Sequence, residues 1–424
     1  MLDLAYIADD FTGATDALEV LTRAGVEAEL FLAPPTSEQL AARPGLRAIG
    51  LATRCRSLSP DEMQTEVRPL LTALAPLRPR YIHYKICSTA DSSPTLGSVG
   101  AVIEEALAML QPSTAVPLLV AAPNLGRWCV FGNLFARYGI GSSGEIYRLD
   151  RHPAMRVHPA TPMTESDLRR HFARQSSRSI GLLDILQLAK SPEKVRATWD
   201  QVAGEASIIL CDALSQNDLA TLGRLFESLA AEQAPLFLVG SSGVESALSM
   251  QWSLEGRELP KITPATGPVL VVSGSCSPVT VEQIRHAERL GNFQVMSFSP
   301  SDSDSKVNVL TETTRRLRLS ESVIVNSAAS SSAPICAESL SAFYGDLVKQ
   351  CVKQIGIRRV CFAGGDTSSH AAQLLHLESL RVRATVTPGA PLCVATAPGT
   401  ALDGVELIFK GGQVGPPDFF ELLR

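Results

Sequence analysis

Short apolar runs rich in β-branched residues alternate with amphipathic segments of helical period along the whole chain. A strand, a helix and a further strand in succession form a βαβ unit, whose parallel sheet is covered by helices on both faces. The pattern therefore predicts an α/β fold built of three-layer domains with mostly parallel sheets. The predicted strands include 4–8, 48–51, 81–85, 118–122, 180–183, 207–211, 236–239, 269–273, 322–326, 359–363 and 392–395, and the predicted helices include 99–110, 165–175, 219–233, 279–290, 340–355 and 368–377.

The chain is longer than one ordinary domain, so its 424 residues predict two. The clearest boundary is the stretch "EGRELPKITPATGP" at 255–268, which has three prolines, two glycines and no hydrophobic period. We predict a first domain at 1–255, a linker at 256–268 and a second domain at 269–424.

Composition excludes several classes of partner. Apolar residues make up 45% of the chain and charged residues 19%, as in globular proteins that bury large cores. The net charge of −5 gives no reason to expect nucleic acid or an anionic membrane. The nine cysteines are odd in number and lack CxxC spacing, and the N-terminus has no basic segment before an apolar run. We expect a reduced, cytoplasmic protein, and we leave open whether it forms a homodimer.

Three glycine-rich turns in the second half follow predicted strands. They contain Ser273, Gly274 and Ser275; then Gly364, Gly365, Asp366 and Thr367; and finally Lys410, Gly411 and Gly412. Small residues let the backbone approach a ligand, and a helix N-terminus offers unpaired N–H groups to an anion. Together the turns indicate an anion or nucleotide site, although no GxxxxGK[ST] loop is present.

A literal GxGxxG, "GIGSSG", stands at 139–144. A dinucleotide site needs a strand before this motif and a helix after it. Here the preceding "NLFARY" is helix-like and the following "EIYRL" is strand-like, so the motif is interpreted as a loop.

In the first half, polar residues follow the predicted strands. Asp9 and Asp10 end the first one, Arg54 and Arg56 follow the second, and the next is followed by a segment with Lys85, Ser88 and Thr89. Carboxylates that accept hydroxyl hydrogen bonds, beside a cation that binds a carboxylate, favour a small polyhydroxy acid as ligand. Arg54 or Lys85 is the predicted anion partner, and Asp9 and Asp10 are predicted to hold hydroxyls.

Each of these residues also has a simpler interpretation. Asp10 can cap the following helix, Arg56 is predicted to be solvated, and Asp9 with Asp10 can instead bind Mg²⁺. His152 and His158 are interpreted as loop packing, because no metal-binding spacing supports them.

Five motifs together resemble the four-carbon acid sugar kinases, a family long catalogued as a domain of unknown function. They occur in the family's order and span nearly the whole chain: "IADDFTGATDA" at 7–17, "YKICSTADSSP" at 84–94, "HPATPMTESDL" at 158–168, "GGDTS" at 364–368 and "KGGQVGPPDFF" at 410–420.

The resemblance implies ATP-dependent phosphorylation of the terminal hydroxyl of threonate, erythronate or 3-oxo-tetronate, and we favour threonate. It implies an acid-sugar domain followed by a nucleotide domain, with the active site in the cleft between them. Substrate contacts are implied for Asp9, Arg54 and the segment Lys85, Ser88 and Thr89. Nucleotide contacts are implied for Ser273, for Gly364 to Thr367, and for glycines around Gly399 and Gly411.

For the chemistry, we expect backbone amides of the Gly364 turn to hold the ATP phosphates, with Mg²⁺ bridging two of them. The metal ligands in the protein are unknown. Asp366, or alternatively Asp9, is the expected acceptor of the hydroxyl proton. Two other classes remain as alternatives: an NAD(P)-dependent hydroxy-acid dehydrogenase and a non-catalytic acid-sugar sensor.

Overall fold

A computed structural model of the chain describes residues 2–140, 143–252, 254–327 and 337–424, and gives only the backbone of 337–338 and 366–369. The chain divides into two compact units. One comprises Met1–Glu29, Ala33–Tyr138 and Ser143–Glu258; the other comprises Leu30–Leu32, Gly139–Ser142 and Leu259–Arg424. The precise limits of the linker, 256–268, stay a prediction.

The first unit is built on a parallel sheet with the strand order β3-β1-β4-β11-β5-β10-β9. A separate antiparallel sheet has the order β6-β7-β8. The strands are β1 (Leu4–Ala8), β2 (Ala28–Phe31), β3 (Ala48–Ala52), β4 (Tyr81–Lys85), β5 (Val116–Leu119), β6 (Arg127–Val130), β7 (Asn133–Arg137), β8 (Ile146–Arg148), β9 (Ile180–Leu183), β10 (Ile208–Cys211) and β11 (Leu236–Gly240).

Helices cover the parallel sheet of this unit. Every residue of β1, β3 and β4 is buried, as expected for strands covered on both faces. Helices α1 and α3 both contact β1, α1 packs against α9, and α3 packs against α4. The helices are α1 (Phe11–Arg23), α2 (Ser37–Ala41), α3 (Pro60–Leu74), α4 (Val99–Leu110), α5 (Leu168–Ala173), α6 (Ile185–Leu188), α7 (Pro192–Ala203), α8 (Gln216–Glu232) and α9 (Gly243–Ser249).

The second unit has a sheet in which β13-β14-β12-β15-β18 run parallel and β17 and β16 follow antiparallel. Its strands are β12 (Val269–Ser273), β13 (Phe293–Ser297), β14 (Ser322–Asn326), β15 (Arg359–Ala363), β16 (Ser379–Thr387), β17 (Ala390–Thr396) and β18 (Glu406–Lys410). Its helices are α10 (Pro278–Leu290), α11 (Ser303–Arg318), α12 (Ala337–Ile355) and α13 (Gly365–Gln373). The predicted α/β class with mostly parallel sheets is confirmed.

One predicted element is wrong. The helix-like "NLFARY" forms β7, in which burial alternates between neighbouring residues and the two ladder partners β6 and β8 supply the hydrogen bonds. The preceding turn has positive φ at Phe131 (50°) and Gly132 (78°), the geometry of a tight hairpin connection. The motif at 139–144 lies between β7 and β8, and its residues 141 and 142 are outside the described residues.

In the part of the chain that the structure describes, no helix has the length and apolar character needed to cross a bilayer.

Candidate functional site

The acid pair at the end of β1 is buried and holds an arginine. Asp9 and Asp10 are only 3% and 1% exposed. Arg56 donates from Nη2 to Asp9 Oδ1 at 2.9 Å, and its Nη1 lies 2.7 Å from Asp10 Oδ2. Asp10 also caps α1, because its Oδ1 accepts a hydrogen bond from the backbone N–H of Gly13 at 2.6 Å. The capping interpretation of Asp10 is therefore confirmed.

The arginine that contacts the acids is Arg56, which the sequence analysis predicted to be solvated; that prediction is wrong. The chain turns sharply after β3, in a single 3₁₀ turn at Cys55–Ser57. The N–H of Arg56 donates to the carbonyl of Asp9 at 3.0 Å, which fixes its side chain over the carboxylates. Arg54 lies at the start of this turn and is half-buried.

Lys85 at the end of β4 lies beside the acid pair. Its side chain is 1% exposed, and its Nζ is 3.5 Å from Asp16 Oδ2. A Cβ added at Gly13 would lie 2.8 Å from Asp10 Oδ1, 3.2 Å from Lys85 Nζ and 3.7 Å from Asp9 Oδ1. The tips of β1 and β4 thus bring two carboxylates and an ammonium group around Gly13, which leaves no room for a side chain there.

The charged groups around Gly13 shift one another's pKa values. Burial raises the pKa of Asp9 to about 6, although the charge of Arg56 opposes the rise. Burial alone would lower the pKa of Lys85, but the neighbouring carboxylates, Asp16 first, outweigh it and hold the pKa above its usual value. Asp9 is therefore a weakly acidic, buried carboxyl, and Lys85 stays cationic.

Ser88 and Thr89 are buried in the turn after β4, as their position after a strand predicted. Thr89 Oγ1 is 2.9 Å from Cys87 Sγ. The same turn buries Asp91, whose Oδ1 has no hydrogen-bond partner among the described residues. Burial raises the pKa of Asp91, but His158 and Arg56 outweigh it and bring the pKa below its usual value. Sequence reasoning did not select Asp91 as a site residue, although "STADSSP" contains it.

The acid pair does not resemble a metal site. Arg56 takes up both carboxylates, and among the described residues no three His, Cys, Asp or Glu side chains cluster as metal ligands. The alternative in which Asp9 and Asp10 bind Mg²⁺ therefore does not fit this geometry.

In the second unit, the three glycine-rich turns lie side by side. Strands β12, β15 and β18 are neighbours in register, so that Ser273 is opposite Ala363 and Ala363 is opposite Lys410. The turns are linked by hydrogen bonds from Gly274 N to Ala363 O at 3.2 Å and from Gly364 N to Lys410 O at 2.9 Å. Because all three strands are parallel, their carboxyl ends form one edge, where ligands bind in such sheets.

Close approach between the turns explains two of the glycines. Gly364 has φ of 118°, which L side chains rarely adopt, and a Cβ there would lie 3.2 Å from Ser275 N. A Cβ at Gly412 would lie 3.0 Å from Ser277 Cβ and 3.2 Å from Ser275 Oγ. Gly365 begins α13 directly after this contact, and Gly411 follows Lys410 in the third turn.

Lys410 is fully buried at the centre of these turns. Its Nζ donates to Thr280 Oγ1 at 2.9 Å and to the carbonyl of Gly411 at 3.0 Å. Among the described residues it has no carboxylate partner within 4.0 Å. Burial lowers its pKa to about 7. A buried amino group with no carboxylate partner among the described residues, at the carboxyl edge of a parallel sheet, is suited to an anionic ligand.

Two hydroxyl groups add to this site. Ser273 Oγ and Ser277 Oγ are buried without hydrogen-bond partners among the described residues, and α10 begins at the next residue, Pro278. Helix α13 begins at Gly365, so the first turns of two helices stand at this edge. Unsatisfied hydroxyls, backbone N–H groups and Lys410 together fit the phosphate groups of a nucleotide.

Other predicted residues fall elsewhere or outside the described set. Asp366 and Thr367 lie in the first turn of α13 by their backbone, but their side chains are outside the described residues. Gly399 does not join the turns: β17 is antiparallel to β18, so the connection with Gly399 leads into the start of β18, at the opposite edge from Lys410. The position of Gly399 gives no support to a nucleotide contact.

Comparison with known proteins agrees with this division of the chain. A family model described as a sugar-binding N-terminal domain matches residues 4–248, and one described as a nucleotide-binding C-terminal domain matches residues 270–420.

Two curated relatives align over almost their whole length. A 3-oxo-isoapionate kinase from Paraburkholderia graminis is 38% identical, over 99% of this chain and 94% of the relative. A 3-oxo-tetronate kinase from Pseudomonas savastanoi pv. phaseolicola is 30% identical, over 98% of this chain and 95% of the relative.

Solved structures share the fold. A protein from Salmonella typhimurium LT2, described as a putative tRNA synthase, has a TM-score of 0.76 at 25% identity and is covered to 98%. Haemophilus influenzae protein HI1011 has a TM-score of 0.67 at 22% identity, also covered to 98%. The two curated kinases and the nucleotide-binding family model favour the kinase interpretation over the dehydrogenase and sensor alternatives. With both family domains matched in order, the chain belongs to the four-carbon acid sugar kinase family, a family of phosphotransferases.

Proposed function

We propose that this kinase transfers the γ-phosphoryl group of ATP to the terminal hydroxyl of a 3-oxo sugar acid. The observation that carries the proposal is the convergence of three glycine-rich turns on Lys410, a buried cation with no carboxylate partner among the described residues. The names of the relatives, 3-oxo-isoapionate kinase and 3-oxo-tetronate kinase, support a 3-oxo acid as acceptor. The 3-oxo acids take the place of threonate as the proposed acceptor, and threonate is kept as a test compound. The homodimer and the cytoplasmic location stay predictions.

In this proposal the first unit holds the acid sugar. Asp9 and Lys85 are the proposed contacts to its hydroxyl and oxo groups, with Arg56 fixing the position of Asp9. Ser88 and Thr89 are proposed to add hydroxyl donors from the turn after β4. Asp10 is engaged twice, by Gly13 and by Arg56, so its proposed role is to orient this cluster.

The second unit is proposed to hold the nucleotide. Ser273 and Ser275 with Gly365 and Thr367 would supply donors to the phosphates, and Lys410, Gly411 and Gly412 would complete the site. Gly274 and Gly364, whose N–H groups donate to Ala363 O and Lys410 O, would instead let the phosphates approach the backbone closely. Mg²⁺ is proposed to be bound chiefly by the phosphates, where it would neutralise their charge.

The proton of the attacking hydroxyl needs an acceptor. Asp366 is the proposed base, because its backbone stands in the first turn of α13 beside Gly364, where the γ-phosphate would lie. Asp9 is the alternative, since burial raises its pKa to about 6, a value closer to that of an effective base.

A panel of acceptors tests the function. Purified protein with ATP and Mg²⁺ is incubated with 3-oxo-isoapionate, 3-oxo-tetronate, threonate and erythronate, and ADP release is followed with mass analysis of the products. We expect one of the two 3-oxo acids to give the highest kcat/KM and a monophosphorylated product. NAD(P) in place of ATP is the control and should give no redox change. Absence of ADP release with all four acids would refute the proposal.

Nucleotide affinity should depend on pH through Lys410. In the free protein its pKa is about 7, and bound phosphates favour the protonated form. Binding therefore takes up a proton above pH 7, and affinity should be full below that value and fall by up to about tenfold per unit above it. The measurement is calorimetric titration of ADP between pH 6 and 9. In Lys410→Arg the side chain stays charged over this pH range, so the affinity for ADP should fall much less as the pH rises. Protonation of ADP itself affects both proteins equally and therefore cancels in the comparison. Identical pH profiles for the two proteins would contradict the assignment.

A further inference from the structure

Arg127, the first residue of β6, is a buried cation that has no carboxylate in direct contact among the described residues. It is 1% exposed, and its Nη1 donates to the carbonyls of Leu125, Gly126 and Arg137 at 3.3, 3.0 and 2.9 Å. Its Nε has no hydrogen-bond partner, and no carboxylate oxygen of the described residues lies within 4.0 Å. Arg359 is also buried, with 3% exposure, but it has a carboxylate partner, because its Nε donates to Glu406 Oε2 at 2.8 Å.

A buried guanidinium without a carboxylate partner destabilises the ligand-free protein. A buried charge loses several kcal/mol of hydration, and carbonyl dipoles replace only part of it. Burial lowers the pKa of Arg127 to about 10, so the guanidinium is still protonated at neutral pH. A ligand with a carboxylate can therefore supply the ion pair that Arg127 does not make within the described residues.

His152 offers a second donor next to this guanidinium. It is fully buried, and its Nδ1 accepts hydrogen bonds from the N–H groups of Ala154 and Met155, both at 3.3 Å, which leaves the proton on Nε2. That Nε2 has no hydrogen-bond partner among the described residues. The rings of Tyr138 and Tyr147 contact the imidazole at centroid distances of 5.6 and 5.8 Å and fix its orientation. Burial, followed by the charge of Arg127, lowers the pKa of His152 to about 4, so the ring is neutral.

The two donors border the segment proposed to contact the sugar. Asp91 is the carboxylate whose charge acts on Arg127, and it follows Ser88 and Thr89 in the turn after β4. Cys87, on the other side of these two residues, is a neutral thiol, because burial raises its pKa to about 12. Two other cations of this region have carboxylate partners: Arg56 contacts Asp9 and Asp10, and Lys85 Nζ is 3.5 Å from Asp16. Arg54, a predicted anion partner, is half-buried at the start of the turn after β3. Of Arg56, Lys85 and Arg127, it is Arg127 that has no carboxylate within 4.0 Å among the described residues.

We propose that Arg127, with the neutral Nε2–H of His152, binds the carboxylate of the acid sugar and makes the kinase select acids over neutral acceptors. This inference rests on the proposed function and adds to it the residues that recognise the acid group. A guanidinium matches a carboxylate in shape and charge, and a hydrogen bond to a charged group contributes more than one between neutral groups.

The test compares an acid with its own carboxamide, which keeps the shape and the hydroxyls but removes the charge. The probe is whichever of the four acids wild type phosphorylates fastest, together with its amide. For Arg127→Met we expect kcat/KM for the acid to fall about 10²-fold, from the loss of a charged hydrogen bond, and that for the amide to change less than about threefold. The KM for ATP should be unchanged. Arg127→Lys, which keeps a point charge, should retain part of the preference for the acid.

Stability separates recognition from a structural role. Arg127→Met removes a buried charge, which favours stability, but it also removes the donor to three backbone carbonyls, which opposes it. Its melting temperature without ligand should therefore stay close to that of wild type. Arg151→Met, an exposed neighbour of His152, is the matched control and should keep both the acid preference and the stability.

Four results would overturn the inference. An equal loss for acid and amide, or a marked loss of stability in Arg127→Met, would assign Arg127 a structural role. An unchanged acid preference would place the carboxylate elsewhere while leaving the proposed kinase function intact. If wild type phosphorylates none of the four acids, the proposed function itself fails, and this carboxylate site fails with it.

Discussion

Lys410→Met is expected to reduce kcat/KM for ATP by about 10²–10³-fold, the range seen when one positioned donor to a developing anion is removed. Lys410 is the cation on which the three turns of the second unit converge. Among the described residues its Nζ donates to Thr280 Oγ1 and to the carbonyl of Gly411, and it lies 5.5 Å from the centre of the Phe419 ring. The kinetic constants for ATP and the dissociation constant for ADP measure the effect. Both should worsen, while binding of the acid sugar should be unchanged.

The same variant should not unfold the protein. Methionine has nearly the volume of the lysine stem and needs no hydration, so the variant should melt at or above the temperature of wild type. Lys353→Met, on the exposed surface of α12, is the control and should leave both activity and stability unchanged. Full ATP affinity in Lys410→Met would show that this cation does not face the phosphates.

Arg56→Met should have the largest effect on stability, a loss of about 3–5 kcal/mol in the free energy of unfolding, because it leaves two buried carboxylates without their cation. Asp9 and Asp10 side chains are 5% and 1% exposed, and Arg56 contacts both. Urea denaturation at pH 7 measures the loss, and exposed Arg174→Met, expected to change stability by less than about 0.5 kcal/mol, is the control.

The pH dependence of this loss identifies its cause. In the folded variant the pKa of Asp9 should lie above the value of about 6 found with Arg56 present, and thus above that of the unfolded chain. The folded state then binds more protons than the unfolded state, so stability should recover as the pH falls from 7 towards 5. Adding Asp9→Asn and Asp10→Asn to Arg56→Met should also restore stability. A loss that is independent of pH and of these neutral substitutions would mean that Arg56 acts through packing.

The sequence was sufficient to locate strand ends but not to decide which side chain turns towards them. Asp9, Lys85, Ser273 and Lys410 were predicted at the carboxyl ends of strands and lie there. This works because a parallel sheet gathers all such ends at one edge, whatever the loops do. The order of the strands, which places Ser273, Ala363 and Lys410 side by side, is set by long-range pairing and is not visible in any local pattern.

The wrong predictions concern positions where the local backbone geometry determines which side chain faces the site. Arg54 and Arg56 are equivalent in a strand pattern, and only the 3₁₀ turn at Cys55–Ser57 places the second one over Asp9. The segment 133–137 has both apolar and polar residues at spacings that suit a helix, and the pairing with β6 and β8 overrides that preference. Arg127 follows the predicted strand 118–122, in "PNLGRW", but it was not selected as a site residue, because the lack of a carboxylate partner is a property of its three-dimensional surroundings.

The antiparallel sheet β6–β8 is separate from the parallel sheet of its unit. It supplies Arg127, but the parallel sheet is continuous without it, because β5 pairs directly with β11 and β10. Its hairpin turn is held by Asp212, which accepts the N–H groups of Phe131 and Gly132 at 2.6 and 3.0 Å, and by Leu168, whose N–H donates to the carbonyl of Gly132 at 2.9 Å. Under the proposed role of Arg127, substitutions within β6–β8 can therefore alter the choice of acceptor without changing the strand pairing of the parallel sheet.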